Sequence, residues 1–400
     1  MKKIAVVVPS LFEGGGVPSV AKFVVDTAIS SGRYMPKIIS LSMFSGDVES
    51  KKIFVPSTWS RGVIVRDSIW NGQPAFHVGA NWAEFEFQRY KPRSQLNNLL
   101  SECDLIQVVC GSPAWANSVT NLGKPVALQV ATLAKVERVS RDARAYGLLG
   151  YWRKAMTEVT DFYDKKALMS VDAIQVENPW MLDYSTAVNN GRCVDIRYAP
   201  PGVDSKIFYP ASRTGYSKNP YILVVGRLND PRKNIGMALE AYSKLPHELL
   251  CTVDLVLAGS ASPPDAFWDH VANLGLENRV RFVDHPSLAE LVALYQNAAV
   301  FLLTSHEEGL GVVILEAMAC AIPVIATRCG GPEGIISDGV SGFLVNLDDL
   351  VGLTDRLIML LTNYNLNVEM GNNGRSCFEA RYEQSVAGSV FVDMWDLLLG

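Results

Sequence analysis

Nowhere in this chain do apolar residues run uninterrupted for the roughly 18 positions that a bilayer-spanning helix needs. No membrane span is expected, and any contact with a membrane should be peripheral. The opening stretch MKKIAVVVPS has only a short apolar run, passes into a Pro-Ser and glycine loop, and offers no small-residue cleavage site. It reads as a first strand rather than a secretory signal. Cysteine never occurs in Cys-x-x-Cys spacing; the seven residues are odd in number and scattered, which suits a reducing cytosol. Positive charge is not in excess either. A net charge of −5 argues against a nucleic-acid binder as a whole, so no nucleic-acid partner is expected. Also missing is a Gly-x-Gly-x-x-Gly turn with an acidic residue after a second strand, which leaves a dinucleotide dehydrogenase a weak alternative.

What is present is 400 residues, 48% hydrophobic and 19% charged, too long for one typical domain and suited to two. The stretch 299–331, AVFLLTSHEEGLGVVILEAMACAIPVIATRCGG, parses as strand, loop, helix, strand, loop. Ala299 to Thr304 is an apolar run of strand length, Gly309 and Gly311 break it, Val312 to Ala321 has helical spacing, and Ile322 to Thr327 resumes a β-branched pattern. Such a βαβ unit belongs to an α/β fold with parallel sheets. Ligands there sit outside the carboxyl ends of the strands, where Ser305 to Gly311 and Arg328 to Gly331 would lie side by side. Glu308 would stand in the loop and Glu316 about two turns into the helix. A glutamate on a helix face is usually only solvated, but Glu316 is surrounded by apolar neighbours, and a charge in that setting needs a partner.

Glu308-Gly-Leu-Gly-Val-Val-Ile-Leu-Glu316, followed by Ile322-Pro-Val-Ile-Ala-Thr and Gly330-Gly-Pro-Glu333, resembles the Glu-x7-Glu signature of the retaining GT-B glycosyltransferases of family four. The resemblance implies two Rossmann-like domains facing across a cleft, with the donor nucleotide on the second and the acceptor on the first. It implies that Glu308 contacts the donor sugar and Glu316 the ribose hydroxyls. The expected boundaries are residues 1–200 for the first domain, 201–219 for a linker and 220–381 for the second domain, with a helical tail from about 382 to 400 crossing back to the first. The resemblance is strong over the second half and loose over the first.

In the first half Ile4 to Val8 reads as a strand, Glu13-Gly-Gly-Gly-Val-Pro18 as a turn, and Ser19 to Ser30 as a helix. By itself the glycine triplet is as consistent with a plain tight turn as with a site. The family resemblance points to Gly15 and Gly16 near the donor phosphates and acceptor. Lys37 to Leu41, Gly62 to Val65, Phe76 to Val78, Asp104 to Val109, Pro125 to Val130 and Val171 to Val176 read as further strands, with helical material from Ala83 to Leu100. Ala131 stands where many members of the family carry a histidine placed against the sixth carbon of the donor sugar. That points either to a 6-deoxy donor or to reduced activity. Residues 133–166 interleave eight lysines and arginines with Tyr146, Tyr151, Trp152 and leucines, and Arg138, Arg141 and Arg144 fall three apart, on one face of a helix. This segment reads either as a solvated basic helix or, with Thr132, Lys135 and Arg138, as a site for a phosphorylated or lipid-linked acceptor whose aromatics touch a membrane interface.

In the second half Tyr221 to Val225 reads as a strand, Gly226 to Asn234 as its loop and Ile235 to Leu245 as a helix. Arg227, Arg232 and Lys233 crowd the amino end of this helix, where the dipole disfavours cations; a bound anion would resolve the conflict, and a mobile surface cluster is the other reading. Gly226-Arg227-Leu and the following Lys233 resemble the family's pair that grips the donor diphosphate. The amides of Gly309, Leu310, Gly311 and Val312 are expected to add donors at the helix start. No Asp-x-Asp stands at an expected strand end and the two cations could replace a metal, so neither metal nor other cofactor is expected. The reaction implied is glycosyl transfer from a nucleotide sugar to a hydroxyl with retention, in assembly of bacterial surface polysaccharide at the inner face of the plasma membrane. A nucleotide-sugar epimerase, a phosphorylase-like enzyme and a non-catalytic sugar-nucleotide binder remain as alternatives.

Overall fold

The computed structural model describes every residue except 10, 13–15, 121, 140–141, 143–146, 213–214 and 216–218. The chain divides into two units. The first comprises Met1–Pro201 and Ala387–Gly400, and the second comprises Gly202–Val386.

The first unit is built on an eight-stranded sheet in the order β3-β4-β2-β1-β5-β6-β7-β8. Its strands are β1 (Lys2–Pro9), β2 (Tyr34–Leu41), β3 (Val65–Trp70), β4 (Gln73–Val78), β5 (Leu105–Cys110), β6 (Val126–Val130), β7 (Ala173–Val176) and β8 (Asp195–Tyr198). All pair in parallel except β3, which runs antiparallel to β4 at the edge. Continuous apolar strands are what a sheet covered on both faces requires. Ile4, Val6 and Val8 pack into one core with Phe391 and Trp395 of the last helix, Gln384–Leu399, while Ala5 and Val7 point into the opposite core with Ile106, Leu128 and Ile174. Trp395 Nε1 donates to Gln107 Oε1 at 2.7 Å, so the indole is buried with its one polar group satisfied.

Four expectations need correction here. Gly62 to Val65 is not a strand; the strand starts at Val65 and runs to Trp70, turning at Asn71-Gly72, both at positive φ. That Asn-Gly pair is the signature of a tight hairpin turn. The helical stretch expected from Ala83 to Leu100 is two short helices, Glu86–Arg89 and Ser94–Ser101, because Pro92 lies between them. In the basic segment the helix Ala134–Glu137 closes at Arg138, so Arg138 does not continue a single helix, and a second helix is Gly147–Leu168; Arg141 and Arg144 lie outside the described residues. Finally, the expected linker, residues 201–219, belongs to the second unit from Gly202 onward. Val203 and Phe208 are buried in its core, and Val203 exchanges backbone hydrogen bonds with the chain around Tyr382 and Gln384.

The second unit carries a six-stranded, wholly parallel sheet in the order β11-β10-β9-β12-β13-β14. Its strands are β9 (Tyr221–Val225), β10 (Asp254–Gly259), β11 (Val280–Asp284), β12 (Val300–Leu303), β13 (Val324–Thr327) and β14 (Phe343–Val345). Helices alternate with them, among them Ile235–Ser243, Leu288–Asn297 and Val312–Ala319. Ser287 opens the second of these with a capping box closed by Glu290. The direction of strand order reverses between β9 and β12. In a doubly wound sheet the crevice outside that reversal is where ligands bind.

Candidate functional site

The loops leaving β9 and β12 meet at this reversal. The β9 loop runs from Gly226 through a single 3-10 turn, Pro231–Lys233, to Asn234, which caps the helix Ile235–Ser243 in the left-handed conformation. The β12 loop fixes it from the other side. Thr304 Oγ1 donates to the carbonyls of Lys233 and Asn234 at 3.1 and 3.0 Å, and the amide of His306 donates to the carbonyl of Arg232 at 2.7 Å. These bonds carry the Lys233 side chain onto Glu308, with Nζ 2.6 Å from Oε1. The same carboxylate oxygen accepts from Ser305 Oγ at 2.6 Å.

The loop after β13 holds Glu308 by its backbone. The Glu308 amide donates to the Cys329 carbonyl at 3.0 Å, and the Gly331 amide donates to the Glu308 carbonyl at 2.9 Å. Two glycines are structurally required in this arrangement. Gly311 begins the helix Val312–Ala319 at φ 85°, a conformation that side chains resist. A Cβ on Gly331 would stand 2.3 Å from the Leu310 carbonyl oxygen, so the two loops could not approach. The amides at the start of the helix Val312–Ala319 belong to a helix amino end, a natural binding place for anions.

Glu316 is the fifth residue of that helix, about one turn in rather than the two expected. Burial raises its carboxyl to about 7, against a partial offset from the Tyr295 hydroxyl, which donates to Oε2 at 2.6 Å. Tyr295 is itself fully buried. A carboxylate raised this far gains from any further donor that reaches it, and a pair of ribose hydroxyls is such a donor.

The three cations at the amino end of Ile235–Ser243 each have a carboxylate nearby. Arg232 bonds Asp230 at 2.8 Å and Glu307 at 2.9 Å, Lys233 bonds Glu308, and Arg227, half exposed, stands 3.6 Å from Asp230. The crowding of positive charge expected from sequence is thus offset by Asp230, Glu307 and Glu308. The helix dipole by itself does not demand an anion. Gly226 is close enough that a Cβ would rest 3.6 Å from the Lys233 side chain.

Sequence reasoning missed Tyr295 and Ser305 as partners of Glu316 and Glu308. Tyr295 reads as one more apolar position of its helix, and no local pattern announces a contact 21 residues away.

In the first unit the candidate residues are not assembled in the same way. Gly15 lies outside the described residues, and Gly16 begins the helix Gly16–Ser30. Thr132 is buried, and among the described residues its hydroxyl has no hydrogen-bond partner, an arrangement that asks for a ligand or a water. Lys135 pairs with Glu158 at 2.8 Å on the surface. Arg138 is largely buried and bonds Glu86 and Thr160, which makes it a packing element as much as a ligand group.

Among the described residues one group of three brings metal-ligand atoms within 4.8 Å of one another: Asp47, Glu49 and His77, all buried in the first unit. Its charges are already met. His77 lies between Ser40 Oγ and Asp47 Oδ1 at 3.0 Å each, and Arg66 bonds Glu49 at 2.6 Å. Burial opposes ionisation of Asp47, but hydrogen bonds with His77 and Ser50 hold its carboxyl below the usual range. This trio tethers the loop after β2 rather than offering a vacant coordination sphere.

Residues 206–376 match the family Glycosyl transferases group 1. The matched stretch contains Arg227, Lys233, Glu308 and Glu316. Among curated relatives, the probable sucrose-phosphate synthase of Thermosipho melanesiensis is 35% identical over 153 residues, 37% of this chain and 36% of that protein. The N-acetyl-alpha-D-glucosaminyl L-malate synthase of Bacillus anthracis is 32% identical over 197 residues, 48% of this chain and 50% of that protein. The chain thus spans between about a third and a half of the curated relatives it matches. Solved structures align over the whole chain: sucrose-phosphate synthase from Thermosynechococcus elongatus at TM-score 0.71 and 20% identity, covering 100% of this chain and 99% of that one. Anabaena HepE gives TM-score 0.72 at 15% identity, covering 99% and 100%. The fold, two parallel α/β sheets, is that of the GT-B glycosyltransferases.

Proposed function

We propose that this chain is a retaining glycosyltransferase that binds a nucleotide-sugar donor on the group 1 domain and transfers the sugar to an acceptor hydroxyl. The observation that carries the reading is the Lys233–Glu308 contact at the sheet's reversal point, inside the stretch that matches the group 1 family. Anabaena HepE, which shares the fold, has been captured with UDP and with UDP-glucose. A diphosphate at the amino end of Val312–Ala319 would meet Arg227 and Lys233, and Glu308 beside them would orient the sugar through its hydroxyls. Glu316 would take the ribose.

In transfer, the bond from the anomeric carbon to the diphosphate oxygen breaks as the acceptor oxygen attacks the same face. The acceptor proton passes to the departing diphosphate. Negative charge grows on that diphosphate, and Lys233 and Arg227 would be the cations that stabilise it. The finer expectations remain part of this proposal: a phosphorylated or lipid-linked acceptor near Thr132, Lys135 and Arg138, a place in bacterial surface polysaccharide assembly, and a cytoplasmic, membrane-peripheral location. Among the described residues no helix is long and apolar enough to cross a membrane.

Incubation with a panel of nucleotide sugars and a lipid-phosphate acceptor tests this directly. Transfer with an unchanged anomeric configuration, slowed about 100-fold or more in Lys233→Ala, is expected. Release of an epimerised free sugar nucleotide without acceptor, or donor binding with neither hydrolysis nor transfer, would overturn it.

A further inference from the structure

A cavity of about 170 Å³ in the first unit is lined by Glu84, Glu86, Arg89, Arg138, Trp152 and Arg153, with Phe85 and Met156 completing its wall. Two stretches bring these residues together. Glu84 to Arg89 includes the one-turn helix Glu86–Arg89, and Trp152 and Arg153 stand in the first two turns of Gly147–Leu168. Arg138 ties the two stretches by bonding Glu86 on one side and Thr160 on the other. Thr132 and Lys135, which the sequence groups with Arg138, do not line this cavity.

The charged groups of the lining differ in how far they are already satisfied. Glu86 is occupied: its Oε1 accepts from Arg138 and, at 2.6 Å, from the Tyr90 hydroxyl. Arg89 donates from Nε to the Ala83 carbonyl at 2.8 Å and from Nη1 to the Met43 carbonyl, which leaves Nη2 without a partner among the described residues. Burial lowers the Arg89 guanidinium from its ordinary value although the charge of Glu86 resists, so its charged form gains from any further anion. Arg153 is exposed and makes no hydrogen bond or ion pair among the described residues. Glu84 is half occupied. Its Oε1 accepts from the amides of Ile53 and Phe54 at 2.9 and 3.5 Å, whereas Oε2 is buried with no partner among the described residues. A buried carboxylate oxygen without a donor is costly, and a ligand hydroxyl relieves that cost.

The cavity therefore suits one molecule that carries an anion for the arginines and a hydroxyl for Glu84. Three guanidiniums stand against two carboxylates, and the single positive charge left over matches a monoanion better than the dianion of a phosphate monoester. A planar carboxylate also fits the fork of a guanidinium. Trp152, half exposed, adds an apolar face against which the C–H face of a sugar ring can lie. The volume is below the roughly 300–1,000 Å³ of drug-sized pockets, which suits a single ring.

We propose that this cavity binds the uronic-acid residue of an acidic saccharide, its carboxylate between Arg89 and Arg153 and a ring hydroxyl donating to Glu84. The binding belongs to the first unit alone. Joined to the transferase reading, on which this step rests, the bound saccharide is the acceptor, and a carboxylate rather than a phosphate is the group this cavity selects.

The test is saturation-transfer NMR titration of the full chain, without any nucleotide sugar, with the methyl glycosides of glucuronic, galacturonic and mannuronic acids, their neutral parent hexosides and the hexoside 6-phosphates. At least one uronide is expected to bind wild type about tenfold or more tightly than its neutral parent and its 6-phosphate. Arg153→Ala should weaken that binding about tenfold, the scale of one charge-assisted hydrogen bond. Glu84→Gln should weaken it a fewfold, because one of the two oxygens becomes an amide nitrogen that cannot accept. Arg153 makes no bond that the fold needs, so thermal unfolding of Arg153→Ala should match wild type. The proposal is overturned if wild type binds no uronide, if the neutral or phosphorylated hexosides bind as tightly, or if Arg153→Ala leaves uronide affinity unchanged. With no donor present, any of these results leaves the transferase reading standing, and an absence of sugar transfer would in turn leave the uronide site standing.

Discussion

At the strand ends of the second unit, carboxylates face cations; at those of the first, they face uncharged donors. Lys233 meets Glu308 and Arg232 meets Glu307, at 2.6 and 2.9 Å, and these pairs are partly open to solvent. In the first unit Asp164 is fully buried and accepts from Ser112 Oγ and from the amides of Ala114 and Ala134. Glu177, at the end of β7, accepts from Gln129 Nε2 at 3.1 Å. Burial raises Asp164 to about 6 and Glu177 to about 7. An ion pair at a loop can exchange partners when a charged ligand arrives, whereas a buried carboxyl bonded to amides ties chain segments together. Burial raises the Glu316 carboxyl to about 7 as well, although Glu316 is partly exposed where Glu177 is buried. What separates the two is setting: Glu316 shares a loop and helix with Glu308. A perturbed carboxyl alone does not mark a site.

The contrast can be broken most decisively at Lys233. Lys233→Ala is expected to lower kcat by about 100-fold or more, the scale for removing one group that stabilises transition-state charge, with little change in donor KM. A comparable loss from Glu177→Gln would erase the distinction between the units. Glu177→Gln should instead act on stability. Its folded value lies above the ordinary 4.5, so the folded protein keeps a proton that the unfolded chain has released, and stability falls as pH rises from about 4.5 to 7. Glutamine removes that fall. Urea unfolding should show up to ~3 kcal/mol of gain above pH 7 and none near pH 4.

Glu316→Ala should raise donor KM about tenfold, roughly the loss of one charge-assisted hydrogen bond. Wild-type nucleotide affinity should strengthen as pH rises through about 7, where the carboxyl ionises and becomes a better acceptor, and Glu316→Gln should flatten that profile. A pH-independent wild type would remove Glu316 from the ribose. The smallest effect is expected at Ala131. Ala131→His, assayed with 6-deoxy and 6-hydroxylated donors, should move preference toward the hydroxylated sugar by a fewfold, the scale of one neutral hydrogen bond. An unchanged preference would leave Ala131 without a role in donor choice.

The two units also differ in how much of them the sequence discloses. The second is regular. Tyr221–Val225 and the helix Ile235–Ser243 fall where their patterns place them, because buried parallel strands are continuous apolar runs and the helices between them keep a clear period. In the first unit β3 is an exposed edge strand carrying Arg66 and Asp67, so its pattern resembles a loop, and only Asn71-Gly72 signals it. Side-chain pairing is harder still. Glu86 and Arg138 are 52 residues apart and Ser112 and Asp164 are also 52 apart, and nothing local announces either bond. At the candidate site the glutamates and cations stand out as residue types in a motif, but that Lys233 lies on Glu308 follows from the placement of β9 beside β12.

The most direct measurement is calorimetric titration of wild type and Glu316→Ala with UDP, GDP, ADP and dTDP. One nucleotide is predicted to bind wild type and to lose at least tenfold in affinity with the variant. Binding of equal strength to both proteins, or none to wild type, would contradict a donor site built on Glu308 and Glu316.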